Sequence, residues 1–196
     1  MSLTDFSDRN LRRGDNYKKV LESSLGMEFK QLILDLGRSK EFSSWKKEHP
    51  QSFLVHIFVM IEGDATAGYQ VGYYDPASNK VTSFLVEEGK TPQALPPAEI
   101  LEDPEHKIEE LDMHGVELST EDALAKAHEV RDDDYENIPV LKTFFIVQSL
   151  HGFGPLFNIT FVTRDLKTLN VKISAKTAEV LKHSLDSLVH QVKGEN

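Results

Sequence analysis

Eight histidines and 32 carboxylates are enough to hold a metal or move protons, so their spacing decides which chemistry is open. His106 and His114 stand eight residues apart, and His183 and His190 seven. No His-Glu-x-x-His or His-x-His pair places two imidazoles on one face at ligand distance. On a helix, His183 and His190 would be about 10 Å apart, too far for one ion. Asp132, Asp133 and Asp134 lack the alternating ligands and the glycine of a calcium loop, so they read as a solvated helix end. Neither a metal site nor a cofactor is expected. Nucleophiles give no stronger signal: there is no Gly-x-Ser-x-Gly elbow, and Ser149 beside His151 is mere proximity at a strand end. Gly152, Gly154 and Pro155 fit a hairpin turn, since no helix start follows to make a phosphate cradle. With no cysteine, thiolate catalysis, thiolate metal sites and disulfides drop out together. No catalytic residue is assigned.

His56 is the polar residue in the otherwise apolar run from Phe53 to Ile61, and its ordinary reading is a hydrogen-bonded or partly exposed core histidine. Tyr69, Tyr73 and Tyr74 with Phe58 could line a pocket between two parts of the chain, although aromatics in strands usually just pack. His56, Phe58, Tyr69, Tyr73 and His151 are accordingly the candidate ligand-binding residues.

Strands and helices must position these groups. The run Phe53 to Ile61 is apolar on both faces, so it is expected to be covered twice. Asp75 to Lys80 has the composition of a hairpin connection. Residues 53–86 and 144–174 read as one object twice: an apolar strand, a Gly-bearing turn, an aromatic strand ending at Asp75 or Asp165, a polar turn, and a third strand. Before the first set, Tyr17, Val20, Leu21, Leu25, Phe29, Leu32, Ile33 and Leu36 recur at helical spacing up to Gly37, and Phe42 and Trp45 sit on a short helix closed by His49-Pro50. Asp103-Pro104 has the chemistry of a helix start, with Ile108 and Leu111 as its apolar side. Ser119 to Asp122 resembles a capping box ahead of Ala123, Leu124, Ala127 and Val130. Thr177 is expected to cap a last helix that buries Leu181, Leu185, Leu188, Val189 and Val192.

The expected fold class is therefore α+β: two repeated units, each a helix plus an antiparallel three-stranded sheet, with an extra C-terminal helix. The boundaries are a flexible N-terminus at 1–15, a first unit at 16–88, an acidic Pro-containing linker with a short helix at 89–117, and a second unit at 118–196.

Net charge is −10 over 196 residues, and it is unevenly placed. Residues 87–136 hold 17 acidic against 4 basic residues. Such an acidic middle argues against nucleic acid, whose phosphates draw on clustered Lys and Arg. No run approaches the roughly 20 apolar residues of a membrane span, and Met1 to Phe6 has neither the basic nor the apolar region of an export signal. A cytoplasmic protein without a membrane partner is expected.

The second unit resembles a PepSY-like domain. The resemblance rests on Leu118-Ser119 with Asp122-Ala123-Leu124 and Ala127, on Phe157 to Phe161, on Asp165, and on Lys172 to Val180. It covers roughly residues 118–181, with a fainter echo at 16–88. Ser174 stands where that family has an acidic residue. Ala178 stands where the family has a Gly, so the chain is expected to leave the turn into a helix. The resemblance implies a small α+β module of regulatory or inhibitory type, without catalytic residues of its own. Three functional expectations follow. The first is a non-catalytic binding or regulatory module holding a protein segment or a small ligand. The second is an enzyme with a polar site at the junction of the repeats, using His56 or His151 as acid-base group. The third is a structural homodimer that covers the doubly apolar strands with its symmetry mate.

Overall fold

Alternating large apolar residues build the middle of the molecule. The run at Phe53 becomes strand β1 (Phe53–Glu62), followed by β2 (Ala65–Asp75) and β3 (Lys80–Val86). In the computed structural model, which describes residues 29–62, 65–99, 108–135 and 138–187, two short strands follow: β4 (Gln93–Ala94) and β5 (Ala98–Glu99). The second half supplies β6 (Val140–Leu150), β7 (Gly154–Thr163), β8 (Lys167–Ser174) and β9 (Val180–Ser187). All nine belong to one antiparallel sheet in the order β4-β3-β2-β1-β6-β7-β8-β9, with β5 also on β3.

That single sheet overturns the expected architecture of two helix-plus-three-strand units. The joint is the pairing of β1 with β6, continuous from His56↔Gln148 to Ile61↔Thr143. Had each half kept a sheet of its own, two long apolar strands would have presented open edges; pairing them satisfies both rows of backbone groups. One core results. It runs from Leu32 and Leu36 through Ile57, Val71, Phe84, Phe145 and Phe157 to Leu169 and Ile173.

Three α-helices, among the described residues, cover one face of this sheet. Helix α1 (Phe29–Arg38) buries Phe29, Leu32 and Leu36 at the expected helical spacing. The earlier part of that expected stripe, Tyr17 to Leu25, lies outside the described residues, as does the N-terminus at 1–15. Helix α2 (Lys40–Glu48) starts at Ser39, whose hydroxyl accepts from the Phe42 N–H. Phe42 packs on Tyr73 and Phe84, with ring centroids 4.8 and 5.2 Å away. The end of α2 is tied to the β2–β3 turn, where His49 Nδ1 lies 2.8 Å from an Asp75 oxygen that also accepts from the Ser78 hydroxyl. These bonds hold the Asp75 carboxyl below its usual pKa, the His49 bond most of all. Helix α3 (Thr120–Asp134) starts at Ser119 as expected and buries Ala123, Leu124, Ala127 and Val130. The helix expected from Asp103-Pro104 falls largely outside the described residues; Ile108 and Leu111 are in irregular chain, with the Leu111 N–H on the Leu54 carbonyl.

The expected C-terminal helix is absent from 180 to 187, where β9 pairs with β8 from Lys167↔Ser187 to Ile173↔Val180. Leu188, Val189, His190 and Val192 lie outside the described residues. The turn ahead of β9 gives the physical reason. Ala178 adopts φ 60°, and its N–H bonds the Ser174 carbonyl while the Ser174 N–H bonds the Glu179 carbonyl. The left-handed turn is thus made with alanine, and it sends the chain back along β8 instead of into a helix. This region costs an L-residue roughly 1–2 kcal/mol, a penalty that glycine escapes. Ala178→Gly is therefore expected to raise the unfolding free energy by about 0.5–1 kcal/mol after the extra freedom of the unfolded glycine is deducted. Urea denaturation measures it, and a destabilised variant would contradict the turn.

Candidate functional site

The second face of the sheet, opposite the helices, carries the mixed polar and apolar surface. Register places its residues in rows. His56 is opposed by Gly72 on one side and Gln148 on the other; Phe58 lies between Gln70 and Ile146; Met60 lies beside Phe144. These side chains are half-buried, and His56, Phe58, Gln70, Ile146 and Gln148 line a shallow cavity of about 280 Å³. Phe58 and Phe144 extend the apolar floor, with ring centroids 6.1 Å apart.

Gly72 makes this arrangement possible. A Cβ there would collide with the His56 ring, so the imidazole occupies the space that any other residue would fill. Burial pushes the His56 pKa below 6.5, so the ring is neutral at neutral pH. A neutral imidazole offers one donor and one acceptor, and each glutamine amide offers both. The cavity thus sets an apolar floor inside a rim of uncharged hydrogen-bonding groups. Among the described residues its lining holds no hydroxyl, amine or carboxylate.

Of the candidate residues read from sequence, the fold brings His56 and Phe58 together and separates the others. Tyr69 and Tyr73 point to the helix-covered face. Tyr69 packs against Phe29 and Tyr73 against Phe42, and burial pushes both phenols up to about 12. The buried Tyr69 hydroxyl has no hydrogen-bond partner among the described residues. His151 sits on the β6–β7 turn, exposed, with Nδ1 2.9 Å from Glu109 Oε1, while the Ser149 hydroxyl donates to Glu109 Oε2 over 3.2 Å. Serine and histidine share a carboxylate there without contacting each other, which ties the 108–111 segment to the end of β6 and builds no nucleophile. Gln70, Ile146, Gln148 and Gly72 were missed by sequence reasoning. Gln148 did carry a signal, being a polar residue inside an apolar strand like His56, but only the β1–β6 register sets the two side by side.

A second depression lies between α3 and β9, about 560 Å³, lined by Lys126, Glu129, Val130, Asp133, Asp134 and the start of β9. There His183 Nδ1 is 2.7 Å from the Tyr135 hydroxyl and Nε2 is 3.7 Å from Asp134. Among the described residues no group of three or more His, Asp and Glu side chains is arranged to hold a metal ion, and no helix is long and apolar enough to cross a membrane.

No family model matches the chain, and no curated protein matches it. A solved structure described as a putative lipoprotein from Clostridium difficile 630 is similar at 14% identity with a TM-score of 0.48, over 74% of this chain and 90% of that one.

Proposed function

We propose that the protein is a non-catalytic binding module of PepSY-like type, and that its second sheet face holds an extended segment of another protein. The observation that carries this reading is the cavity at His56. Its volume of about 280 Å³ falls below the roughly 300–1,000 Å³ of sites that enclose a cofactor or drug-sized ligand. It suits one large apolar side chain, seated on Phe58 and Ile146. Gln70, Gln148 and neutral His56 at the rim then meet the backbone amides on either side of that residue, which leaves no buried polar group of the guest unpaired. An enzyme at the same place is disfavoured by the lining: among the described residues His56 has no carboxylate to orient it, and no nucleophile stands beside it.

Selection of random peptides displayed against the full chain, with affinities then measured by calorimetry, tests the reading. Selected peptides should be centred on a large apolar residue. Phe58→Asp should weaken them at least about tenfold by burying a charge against an apolar group. Gly72→Ala should weaken them comparably, because its methyl group displaces the His56 ring. Both variants should keep the wild-type circular dichroism. Peptides that bind Phe58→Asp as tightly as wild type would sink the proposal, as would a selection that yields no binder.

A further inference from the structure

The two edges of the sheet are treated differently. On one side β4 and β5 lie along β3, through Phe84↔Ala94, Leu85↔Gln93, Lys80↔Glu99 and Val81↔Ala98, and so blunt that edge. On the other side β9 has, among the described residues, no outer neighbour. A bare edge strand of eight residues is a template for another strand, and proteins ordinarily guard against it.

The charges on β9 fit a particular occupant. Lys182, Ser184 and Asp186 share the second face of the sheet, opposite Lys172, Asn170 and Thr168 of β8. Lys172 and Lys182 therefore face each other directly, and neither has an ion-pair partner among the described residues. Like charges directly opposed across strands are unfavourable. Asp186, exposed at the same edge, accepts a hydrogen bond from the Ser184 hydroxyl over 2.9 Å and has no cation beside it among the described residues.

If a second β9 pairs antiparallel and the two faces continue across the joint, residues of like face must oppose, so the two-fold axis passes through a residue. With the axis at Ser184, Lys182 of each copy lies opposite Asp186 of the other, and His183 opposes Leu185 on the helix-covered face. Axes through His183 or Leu185 create no such charge pair.

We propose that two copies of this chain join edge to edge through β9, antiparallel about Ser184, with two reciprocal Lys182 to Asp186 pairs. The row on the second face then alternates toward neutrality, Lys172 and Lys182 of one copy followed by Asp186 of the other. Two short edges bury less than the roughly 1,200 Å² of a standard interface, so the dimer is a weak one, populated at tens to hundreds of micromolar. The inference is independent of the peptide site and survives its failure.

Sedimentation velocity of the full chain from about 1 to 500 μM tests it. Wild type should show a monomer–dimer equilibrium. Lys182→Asp and Asp186→Lys should each weaken it about tenfold or more, by turning two attractive pairs into two repulsive ones, and the double swap should restore it. Phe58→Asp, on the central strands, should leave it unchanged. The opposing account is that Lys182 is a guard against edge pairing, in which case Lys182→Ala would tighten association. That result, a chain monomeric throughout, or a dimer abolished by Phe58→Asp would each overturn the proposal.

Discussion

Phe157→Ala is expected to lower the unfolding free energy by about 3–5 kcal/mol, the range for removing a fully buried aromatic ring. Phe157 is fully buried near the middle of the sheet, opposed by Val147 on β6 and Ile173 on β8. The rings of Phe29 and Phe145 lie 6.1 and 6.2 Å from its own. Those neighbours are fixed by strand pairing and by α1, so they relax little into the space left behind, and the cavity cost adds to the lost transfer energy. Exposed Phe153 on the β6–β7 turn is the control, and its alanine variant should stay within about 0.5 kcal/mol of wild type. The continuous sheet makes a further demand. Trp45, the only tryptophan, packs on Phe84 at 5.2 Å in the other half of the molecule. Its fluorescence and the far-ultraviolet circular dichroism should therefore follow one urea transition, and Phe157→Ala should shift both together. Two separated transitions, with Trp45 unmoved, would mean that the halves fold as independent units.

Local signals in the sequence reach as far as local physics does. The stripe Phe29, Leu32, Leu36, the Ser119 cap and the turn after Asp75 depend on residues within a few positions of one another, and each is legible. The pairing of β1 with β6 joins residues 82 to 92 apart, and nothing in either strand names its partner. Direction within a strand is lost for a related reason. Between Leu54 and His56 the pairing of β1 with β2 shifts register, so Leu54 joins Ile57 and Val59 in the main core although strict alternation would oppose them. Tyr69 and Tyr73 belong with that core face, whereas Phe58 faces Gln70 on the other. The C-terminal element fails on an ambiguity of period: Leu181 and Leu185 are four apart, which is about one helical turn and also two full strand repeats. Only the turn at Ala178 decides between them.

The second large effect is acid lability centred on His128. Its ring lies on α3 over Phe161, with centroids 5.0 Å apart. Burial above all, and the Arg131 charge after it, lower its pKa from 6.5 to about 4, with Asp132 offsetting part of the shift. The folded protein thus keeps His128 neutral where the unfolded chain, titrating near 6.5, takes up a proton. Well above pH 6.5 both states are neutral and the full stability is present. As pH falls from 6.5 toward 4 the unfolded state binds one more proton, and stability drops by up to about 1.4 kcal/mol per pH unit. The loss reaches about 3 kcal/mol near pH 4, below which the folded state titrates too. His56, also lowered by burial, adds a loss of the same sign that begins at the same pH. Asp75 acts later, because a carboxylate held below 3.8 costs stability only as pH falls through the acid range around and beneath that value. Urea denaturation at about pH 7, 6, 5 and 4 should therefore show a steep decline, and His128→Leu should flatten most of it. A wild-type stability that is level across this window, or a His128→Leu variant that keeps the whole slope, would show that the ring is not held neutral by its packing on Phe161.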